Sequence, residues 1–252
     1  NTWALLVCTS RYWFNYRHVA NTLSVYDTIK KFGIPDNRII LMIPDDLSTN
    51  SRNAYRGSII NGRDSALNLV VDAEIDYTGD EVTGSKVAEI LTGRIENGES
   101  RKMELDAESN VFVYMSGHGG DQFLKFQDTN EITSEDFSFL LDQMGLTKRY
   151  AKLWLMVDTC QSESLFGSIM APNVIAMGSS RVGENSYAHR AERNLALPTM
   201  DKFTSAAVDF LEHSIKTNSN ATFRNLMESF NPTQLSSNPV LKRTDQNDPF
   251  FD

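Results

Sequence analysis

Cysteine is scarce in this chain of 252 residues, which contains only Cys8 and Cys160. Two cysteines are too few to build a disulfide scaffold, and they cannot supply a four-cysteine zinc site. The HExxH and paired CxxC patterns of zinc proteins are also missing. The sequence therefore predicts no zinc centre.

Long apolar runs and an excess of positive charge are missing as well. The best apolar runs, Ala4–Cys8 and Leu153–Val157, are the size of strands, well short of the roughly 18 residues of a membrane span. The 24 Lys and Arg residues are outnumbered by 33 Asp and Glu residues, for a net charge of −9. Because general nucleic-acid binding needs a basic surface, we expect no nucleic-acid partner.

The composition is that of an ordinary globular protein, with 40% hydrophobic and 23% charged residues. This balance excludes a disordered or collagen-like chain. The length suits one large domain or two small ones. Because no repeat or low-complexity tract divides the chain, we predict a single domain over residues 1–252.

Short apolar runs alternate with helical patterns along the chain. The runs predicted to be buried strands are Trp3–Cys8, Arg38–Ile43, Val111–Met115, Leu153–Val157 and Val174–Met177. The helical patterns are His18–Phe32, Val87–Ile95, Ser134–Met144 with Ser134 as N-cap, Asp201–Ile215 and Thr222–Phe230. This alternation predicts an α/β fold with a mainly parallel central sheet and helices on both faces. Residues 48–64 and 96–109 are expected to be loops, and the tail from about residue 231 is expected to be irregular.

Two predicted strands end in residues that could carry out chemistry. The segment Ser116–Gly120 (SGHGG) follows Val111–Met115, and Asp158–Gln161 (DTCQ) follows Leu153–Val157. Ligands bind beyond the carboxyl ends of parallel strands, so both turns are expected at the same edge of the sheet. If the two strands are neighbours, their ends lie about 5 Å apart, close enough for a cysteine–histidine dyad.

Such a dyad would perform nucleophilic acyl chemistry. A thiolate attacks carbonyl carbon, and a nearby imidazole takes the thiol proton or lowers its pKa. The glycines around His118 would leave N–H groups free for an oxyanion hole, and a predicted helix at Ser162–Ser168 would stabilise the Cys160 thiolate. Taken singly, a cysteine after a strand is more often a core residue and a Gly-His-Gly-Gly segment more often a turn. Their conjunction leaves both interpretations open.

The other cysteine and histidines are weaker candidates. Cys8 ends a strand with no histidine-bearing turn beside it, and we assign it to the core. His18 is expected to cap or pack at the start of a helix. His189 and His213 are expected to be solvated.

Two acidic or glycine-containing segments could hold ions. Glu74 and Asp76 lie on one face if their segment is extended, and with another acid they could hold calcium. Without one, a solvated acidic edge is favoured. The segment Gly79–Lys86 (GDEVTGSK) approximates a phosphate-binding loop, but its lysine is one place late and its two acids would repel phosphate. We therefore reject a phosphate site there.

Three segments stand in order along the chain: Trp13–Asn21 (WFNYRHVAN), Tyr114–Gly120 (YMSGHGG) and Val157–Gln161 (VDTCQ). Shorter matching segments are Gly33–Asp36, Glu74–Tyr77, Leu91–Arg94 and Gly178–Ser180. Together they resemble the family of catalytic subunits of glycosylphosphatidylinositol (GPI) transamidase, relatives of legumain and the caspases. The resemblance runs from Thr2 to about Phe210.

The resemblance implies a caspase-like three-layer α/β sandwich and a set of site residues. Cys160 would be the nucleophile, His118 the base and acid, and Asn15 the residue that orients the imidazole. The N–H groups of Gly119 and Cys160 would form the oxyanion hole. No organic cofactor is implied, but a structural calcium ion is, with ligands at Asp36, Glu74, the carbonyl of Ile75, and Asp76.

The implied activity is transamidation in the lumen of the endoplasmic reticulum. The enzyme would cleave the C-terminal GPI-attachment signal of a proprotein through a thioester and pass the acyl group to the ethanolamine amine of GPI. The implied partners are the proprotein signal, the GPI lipid and the membrane subunits of a complex, which would associate the chain with the membrane. One alternative is a soluble legumain-like cysteine endopeptidase. Another is an inactive calcium-dependent adaptor, against which the joint presence of Cys160, His118 and Asn15 speaks.

One segment departs from the family pattern. Relatives carry a cysteine near Thr49 that cross-links to a partner subunit, whereas this chain has none there. The polar loop 48–64 follows the family poorly, and we interpret it either as a docking or regulatory surface or as a mobile solvent loop.

Overall fold

A six-stranded sheet runs through the middle of the structure, a computed structural model that describes residues 1–63, 67–95, 101–217 and 220–245. In spatial order its strands are β2 (Ile39–Met42), β1 (Thr2–Cys8), β3 (Asn110–Ser116), β7 (Lys152–Asp158), β8 (Val174–Gly178) and β9 (Val240–Arg243). The first five are parallel, and only β9 runs antiparallel to its neighbour. The predicted strands and their mainly parallel pairing are confirmed.

Helices cover both faces of this sheet. They are α1 (Tyr16–Lys31), α2 (Gly84–Thr92), α3 (Ser134–Leu146), α4 (Lys202–Thr217), α5 (Phe223–Ser229) and α6 (Pro232–Leu235). The apolar residues of α2 and α3 pack on one face, and those of α1, α4 and α5 pack on the other. The predicted three-layer arrangement is therefore present.

Strand β3 is apolar at nearly every position because both of its faces are buried. Val111, Val113 and Met115 belong to the core on the α2–α3 face. Phe112 and Tyr114 belong to the core on the α1–α4 face. Successive side chains of a strand point to opposite faces, so a strand covered on both faces needs apolar residues at every position.

The tail beyond residue 231 was expected to be irregular, and this expectation is wrong. It contains α6 and β9, and β9 pairs with β8 from Gly178–Val240 to Ile175–Arg243. The pairing covers the edge of β8 that would otherwise expose unpaired backbone groups. The four residues of β9 have only a weak strand pattern between Pro239 and polar residues, so their pairing depends on the presence of β8.

A second, antiparallel sheet follows directly after β3, and the sequence patterns did not predict it. It consists of β4 (Gly119–Gly120), β5 (Phe123–Phe126) and β6 (Asn130–Thr133). The helix α3 begins after β6, and its N-cap is Thr133 rather than the predicted Ser134. The Thr133 hydroxyl accepts from the Asp136 N–H while the Asp136 carboxylate accepts from the Thr133 N–H, so both exposed donors are satisfied.

The prediction of a helix over Ser162–Ser168 is also wrong, because this segment forms only a four-residue 3-10 turn, Ser162–Leu165. Its serine hydroxyls bond to backbone carbonyls, Ser162 to Ser180 at 3.0 Å and Ser164 to Gln161 at 2.7 Å. Such bonds offer the backbone an alternative to a helix.

Two predicted loops lie partly within the described residues. Residues 48–63 and 101–109 contain no helix or strand, in agreement with the prediction, whereas 64 and 96–100 lie outside the described residues. Of the helices in the described part of the chain, none is long and apolar enough to cross a membrane.

Candidate active site

The two turns with His118 and Cys160 lie side by side. Strands β3 and β7 are neighbours in register, with Ser116 opposite Asp158, so each candidate residue follows two positions after a strand end. The turns are in contact, because a Cβ atom added at Gly119 would lie 2.5 Å from the Thr159 hydroxyl oxygen. The structure thus brings the predicted dyad residues together at the carboxyl edge of the sheet.

Asn15 reaches this edge from the neighbouring strand β1. It ends a one-turn 3-10 helix, Trp13–Asn15, and immediately precedes α1. Its side chain is 1% exposed, and its Oδ1 lies 2.7 Å from Nε2 of His118. Asn15 thus lies in the segment that joins β1 to α1, and the fold brings it into direct contact with His118.

The hydrogen bonds of Asn15 determine the tautomer of His118. The Asn15 amide nitrogen donates to the Arg11 carbonyl at 2.7 Å, which assigns the oxygen to the side facing His118. Nε2 of His118 must then carry a proton and donate it. In the neutral ring Nδ1 is consequently an acceptor, the form that a general base requires.

Burial and three nearby charges set the pKa of the His118 imidazole. Burial lowers its pKa below the ordinary value of 6.5, and the positive charges of Arg17 and Lys125 lower it further. The negative charge of Asp128 acts in the opposite direction. The net lowering keeps His118 neutral, and able to accept a proton, at lower pH than an exposed histidine.

We predict opposite pH shifts for two neighbouring variants. Lys125→Gln should raise the pKa of His118 and move the acid limb of kcat/KM to higher pH. Asp128→Asn should lower that pKa and move the limb to lower pH. Because both side chains are exposed and pair at 3.3 Å, either loss should leave the fold intact. Profiles of kcat/KM against pH check this. An acid limb at the same pH in both variants and in the unmodified protein would exclude His118 as the base.

Two N–H groups could receive an oxyanion. The Lys125 N–H donates to the His118 carbonyl, and hydrogen-bonded pairs alternate along an antiparallel ladder. Gly119 and Leu124 are therefore a non-hydrogen-bonded pair, so the Gly119 N–H points away from β5 on an edge strand. The Cys160 N–H has no acceptor among the described residues. Both predicted donors are thus available.

The two cysteines differ in environment. Cys160 is a free, half-buried thiol, followed by the short Ser162–Leu165 turn, whose dipole is small compared with that of a full helix. Cys8 is fully buried in the core, as predicted. Burial raises the pKa of the Cys8 thiol to about 12, which leaves it unreactive at neutral pH.

His18 lies directly against His118, which sequence patterns did not reveal. The two rings meet edge to face with centroids 5.0 Å apart. His18 is 2% exposed and its Nδ1 lies 2.9 Å from the Ser10 hydroxyl. Burial, with the charge of Arg17, lowers the pKa of His18 well below its ordinary range, so its ring is neutral. By contrast His189 and His213 are exposed, as predicted.

Two buried carboxyl groups lie beneath the site. Asp158 accepts from the hydroxyls of Ser186 and Thr204 at 2.7 and 2.6 Å. Asp201 accepts from Asn21 at 2.6 Å and from Arg17 at 3.1 Å. Burial and the nearby Asp158 raise the pKa of Asp201 to about 7, and burial also raises the pKa of Asp158. No local pattern marks Asp201, because it meets Arg17 and Asn21 only through the packing of α1 against α4.

Three of the expected calcium ligands pair with cations of the protein itself. Arg101 lies 2.8 Å from Asp76 and 3.7 Å from Glu74, and Asp36 pairs with Lys30 at 3.0 Å. The oxygen donors are of the type that calcium prefers, but an ion at these carboxylates would compete with Arg101 and Lys30. Among the described residues, no group of three acidic, histidine or cysteine side chains is arranged to hold a metal.

The fold is similar to that of a caspase. A crystal structure of caspase-1 from Spodoptera frugiperda matches 96% of this chain and 86% of its own, with a TM-score of 0.54 and 9% identity. At that identity the match concerns the fold alone. It confirms the expected caspase-like α/β architecture.

Sequence comparisons show which family the chain belongs to. GPI-anchor transamidases from Schizosaccharomyces pombe, Saccharomyces cerevisiae and Homo sapiens are 46%, 46% and 44% identical over 95%, 97% and 89% of this chain. The chain covers 64%, 60% and 58% of their lengths, so it spans about three fifths of these relatives. The model of the peptidase C13 family matches residues 2–233. With its caspase-like fold and its Asn15–His118–Cys160 edge, the chain belongs to the peptidase C13 family.

Proposed function

We propose that this chain is the catalytic part of a GPI-anchor transamidase and that Cys160 forms a thioester with the proprotein. The observation that carries the proposal is the 2.7 Å contact between Asn15 and His118, because it leaves the free imidazole nitrogen as a base beside a half-buried thiol. The three relatives named above, which cover most of this chain, support the choice of GPI as acceptor.

The proposed acylation gives each of the site residues a role. As the Cys160 sulfur attacks the carbonyl carbon of a small residue at the attachment site, Nδ1 of His118 takes the thiol proton and a C–S bond forms. The N–H groups of Gly119 and Cys160 hold the oxyanion. The C–N bond then breaks, and Nδ1 of His118 gives its proton to the leaving amine of the hydrophobic signal. Asn15 holds the ring in place through Nε2.

The second step reverses these roles. The ethanolamine amine of GPI attacks the thioester carbonyl, and Nδ1 of His118 takes a proton from it. The C–S bond breaks, an amide remains and the thiolate is restored. A legumain-like peptidase differs only in its acceptor, because water replaces the amine.

Product analysis distinguishes these two activities. With a proprotein substrate and GPI, we expect an amide-linked product, and with hydroxylamine we expect a hydroxamate. Cys160→Ala is the negative control for both assays and should form neither product. A free carboxylic acid as the sole product, formed at the same rate with and without amine, would support the peptidase and contradict the transamidase.

We also propose the location and partners that this substrate requires. GPI and the uncleaved signal are membrane-bound, so the reaction belongs to the lumenal side of the endoplasmic reticulum. Membrane subunits of a complex would present both substrates, and loop 48–63 is a candidate contact for them. Co-purification in mild detergent followed by a transfer assay tests this. A lone chain that attaches GPI efficiently would remove the need for partners.

Calcium remains part of the proposal, as an ion that competes with Arg101. Excess calcium should raise the melting temperature by several degrees relative to chelator, since an ion at 100 times its Kd stabilises by about 2.7 kcal/mol. Arg101→Gln removes the competing cation and should enlarge the response. Identical melting curves with calcium and chelator in both proteins would eliminate the site at Asp36, Glu74, Ile75 and Asp76.

A further inference from the structure

The chain carries one acceptor pattern for N-linked glycosylation, and the proposed mechanism does not use it. The pattern is Asn220-Ala221-Thr222, whereas the similar segment Asn231-Pro232-Thr233 is excluded because proline stands in its middle. Asn220 is exposed and lies two residues before α5, whose N-cap is Thr222. The Thr222 hydroxyl donates to Asn225 Oδ1 at 3.1 Å. The fold thus fixes the end of the pattern and leaves its asparagine at the surface, where glycans are carried.

An apolar groove begins at this pattern. Its volume is about 440 Å³, and it lies between the C-terminal halves of α1 and α4 and the start of α5. Ala221 and Thr222 form part of its rim, and Phe32 of α1 is 49% exposed beside it. The other aromatic side chains of its lining are Phe112, Trp154, Phe210 and Phe223. Exposed apolar surface of this kind marks a contact with another molecule or group.

The aromatic rings of the groove indicate the chemistry of what covers it. The Phe112 and Trp154 rings lie 4.4 Å apart at an angle of 31°, and Phe223 meets Trp154 edge to face at 5.0 Å. The faces of aromatic rings are electron-rich and attract positively polarised groups. One face of a pyranose ring presents such polarised C–H groups, while its hydroxyl groups stay in water. A sugar attached at the rim therefore suits this groove.

We propose that Asn220 carries an N-linked glycan and that its first sugars cover the groove. In the transfer, the Asn220 amide nitrogen bonds to C1 of the first N-acetylglucosamine of a lipid-linked oligosaccharide. The C1–O bond to the lipid diphosphate breaks, and the amide proton goes to the released diphosphate. The first sugar is then attached one residue from Ala221, at the rim of the groove. The proposal rests on the lumenal location in the proposed function, but not on acyl transfer.

The groove and the candidate active site lie toward opposite edges of the central sheet. Trp154 is near the amino end of β7, whereas Cys160 follows its carboxyl end. The four residue steps from Trp154 to Asp158 alone span about 13 Å. Loss of the glycan should therefore leave the catalytic groups in place.

Peptide mapping by mass spectrometry tests the modification. The full chain is expressed in eukaryotic cells with the subunits that purify with it, and protease protection in sealed microsomes records its location separately. We expect a glycan on Asn220, none on Asn231, and none at position 220 in Asn220→Gln. Thr222→Ser keeps both the acceptor pattern and a helix cap, so it should retain the glycan. A protected chain with an unmodified Asn220 would overturn the proposal alone, whereas a digested, unmodified chain would overturn the lumenal location with it.

Hydroxyl-radical footprinting tests the cover, by comparison of the glycosylated protein with Asn220→Gln. Oxidation of Phe32 and Phe223 should be faster in the variant, and Phe139, which is 63% exposed on α3, should react equally in both. The melting temperature of the variant should fall by about 2–4 °C, because apolar surface is uncovered.

Equal oxidation of the two groove rings in both proteins would overturn the cover. Equal protection would assign the groove to another protein segment, and equal exposure would place the glycan away from it. None of these measurements needs turnover. An inactive protein whose glycan protects the rings would count against acyl transfer alone.

Discussion

Cys160→Ala should abolish thioester formation and anchor transfer, with a loss of about 10⁴-fold or more. Removal of a nucleophile that works together with a base removes the whole covalent route, and only binding and the oxyanion donors remain. The variant should still fold, because Cys160 is half-buried and makes no disulfide. The measurements are release of the leaving peptide and trapping of the acyl enzyme.

Cys8→Ala is the matched control for this loss of a thiol. Cys8 is fully buried in the core on the α1–α4 face, so its replacement should cost some stability and leave activity intact. An alkylating reagent should modify Cys160 alone in the native protein. Transfer by Cys160→Ala, or first labelling at Cys8, would remove Cys160 from the role of nucleophile.

Gly117→Ala should destabilise the protein by about 1–3 kcal/mol and reduce activity by about 10²-fold. A Cβ atom at position 117 would lie 1.9 Å from the Thr9 hydroxyl oxygen and 3.2 Å from the Thr9 Cβ. The β-branched Thr9 side chain is stiff, so the turn would shift instead and carry His118 away from Cys160. Urea unfolding and kcat/KM measure the two effects.

Thr9→Ala should rescue part of this loss. The Thr9 hydroxyl is buried and has no hydrogen-bond partner among the described residues, so its removal leaves no partner unsatisfied. The double variant keeps the 3.2 Å contact and should recover only partly. Gly167→Ala is the control, because no atom lies within 4 Å of an added Cβ there and its effect should stay within about 0.5 kcal/mol. If Gly117→Ala behaves like Gly167→Ala, the close packing at Thr9 does not position the histidine turn.

Patterns within single segments were enough to predict five of the six strands of the central sheet and two turns that could carry out chemistry, while a core cysteine and an ordinary turn stayed open as the alternative. The strands were recognisable because burial on both faces demands apolar residues at every position. The turns with His118 and Cys160 were expected at one edge because parallel strands deliver their carboxyl ends to it. The pairing of β3 with β7 then places the two turns side by side. The role of Asn15 as a third residue came from resemblance to a family, since its own segment shows only an aromatic stretch before a helix.

The sequence by itself determined the α/β class, the core position of Cys8 and the place of the His118 and Cys160 turns at strand ends, because each depends on composition or period within one segment. That the two turns are neighbours depends on the pairing of β3 with β7, which only the tertiary structure shows. Only the tertiary structure decided which titratable groups surround the site. His18 and Asp201 are 183 residues apart in the sequence, yet both are buried together beneath the site, and Arg101 stands among carboxylates from other loops. The Tyr12 N–H likewise donates to the Asp45 carboxylate, 33 residues further along the chain. Such contacts join segments that share no local pattern, so their energies arise from packing that no single segment encodes.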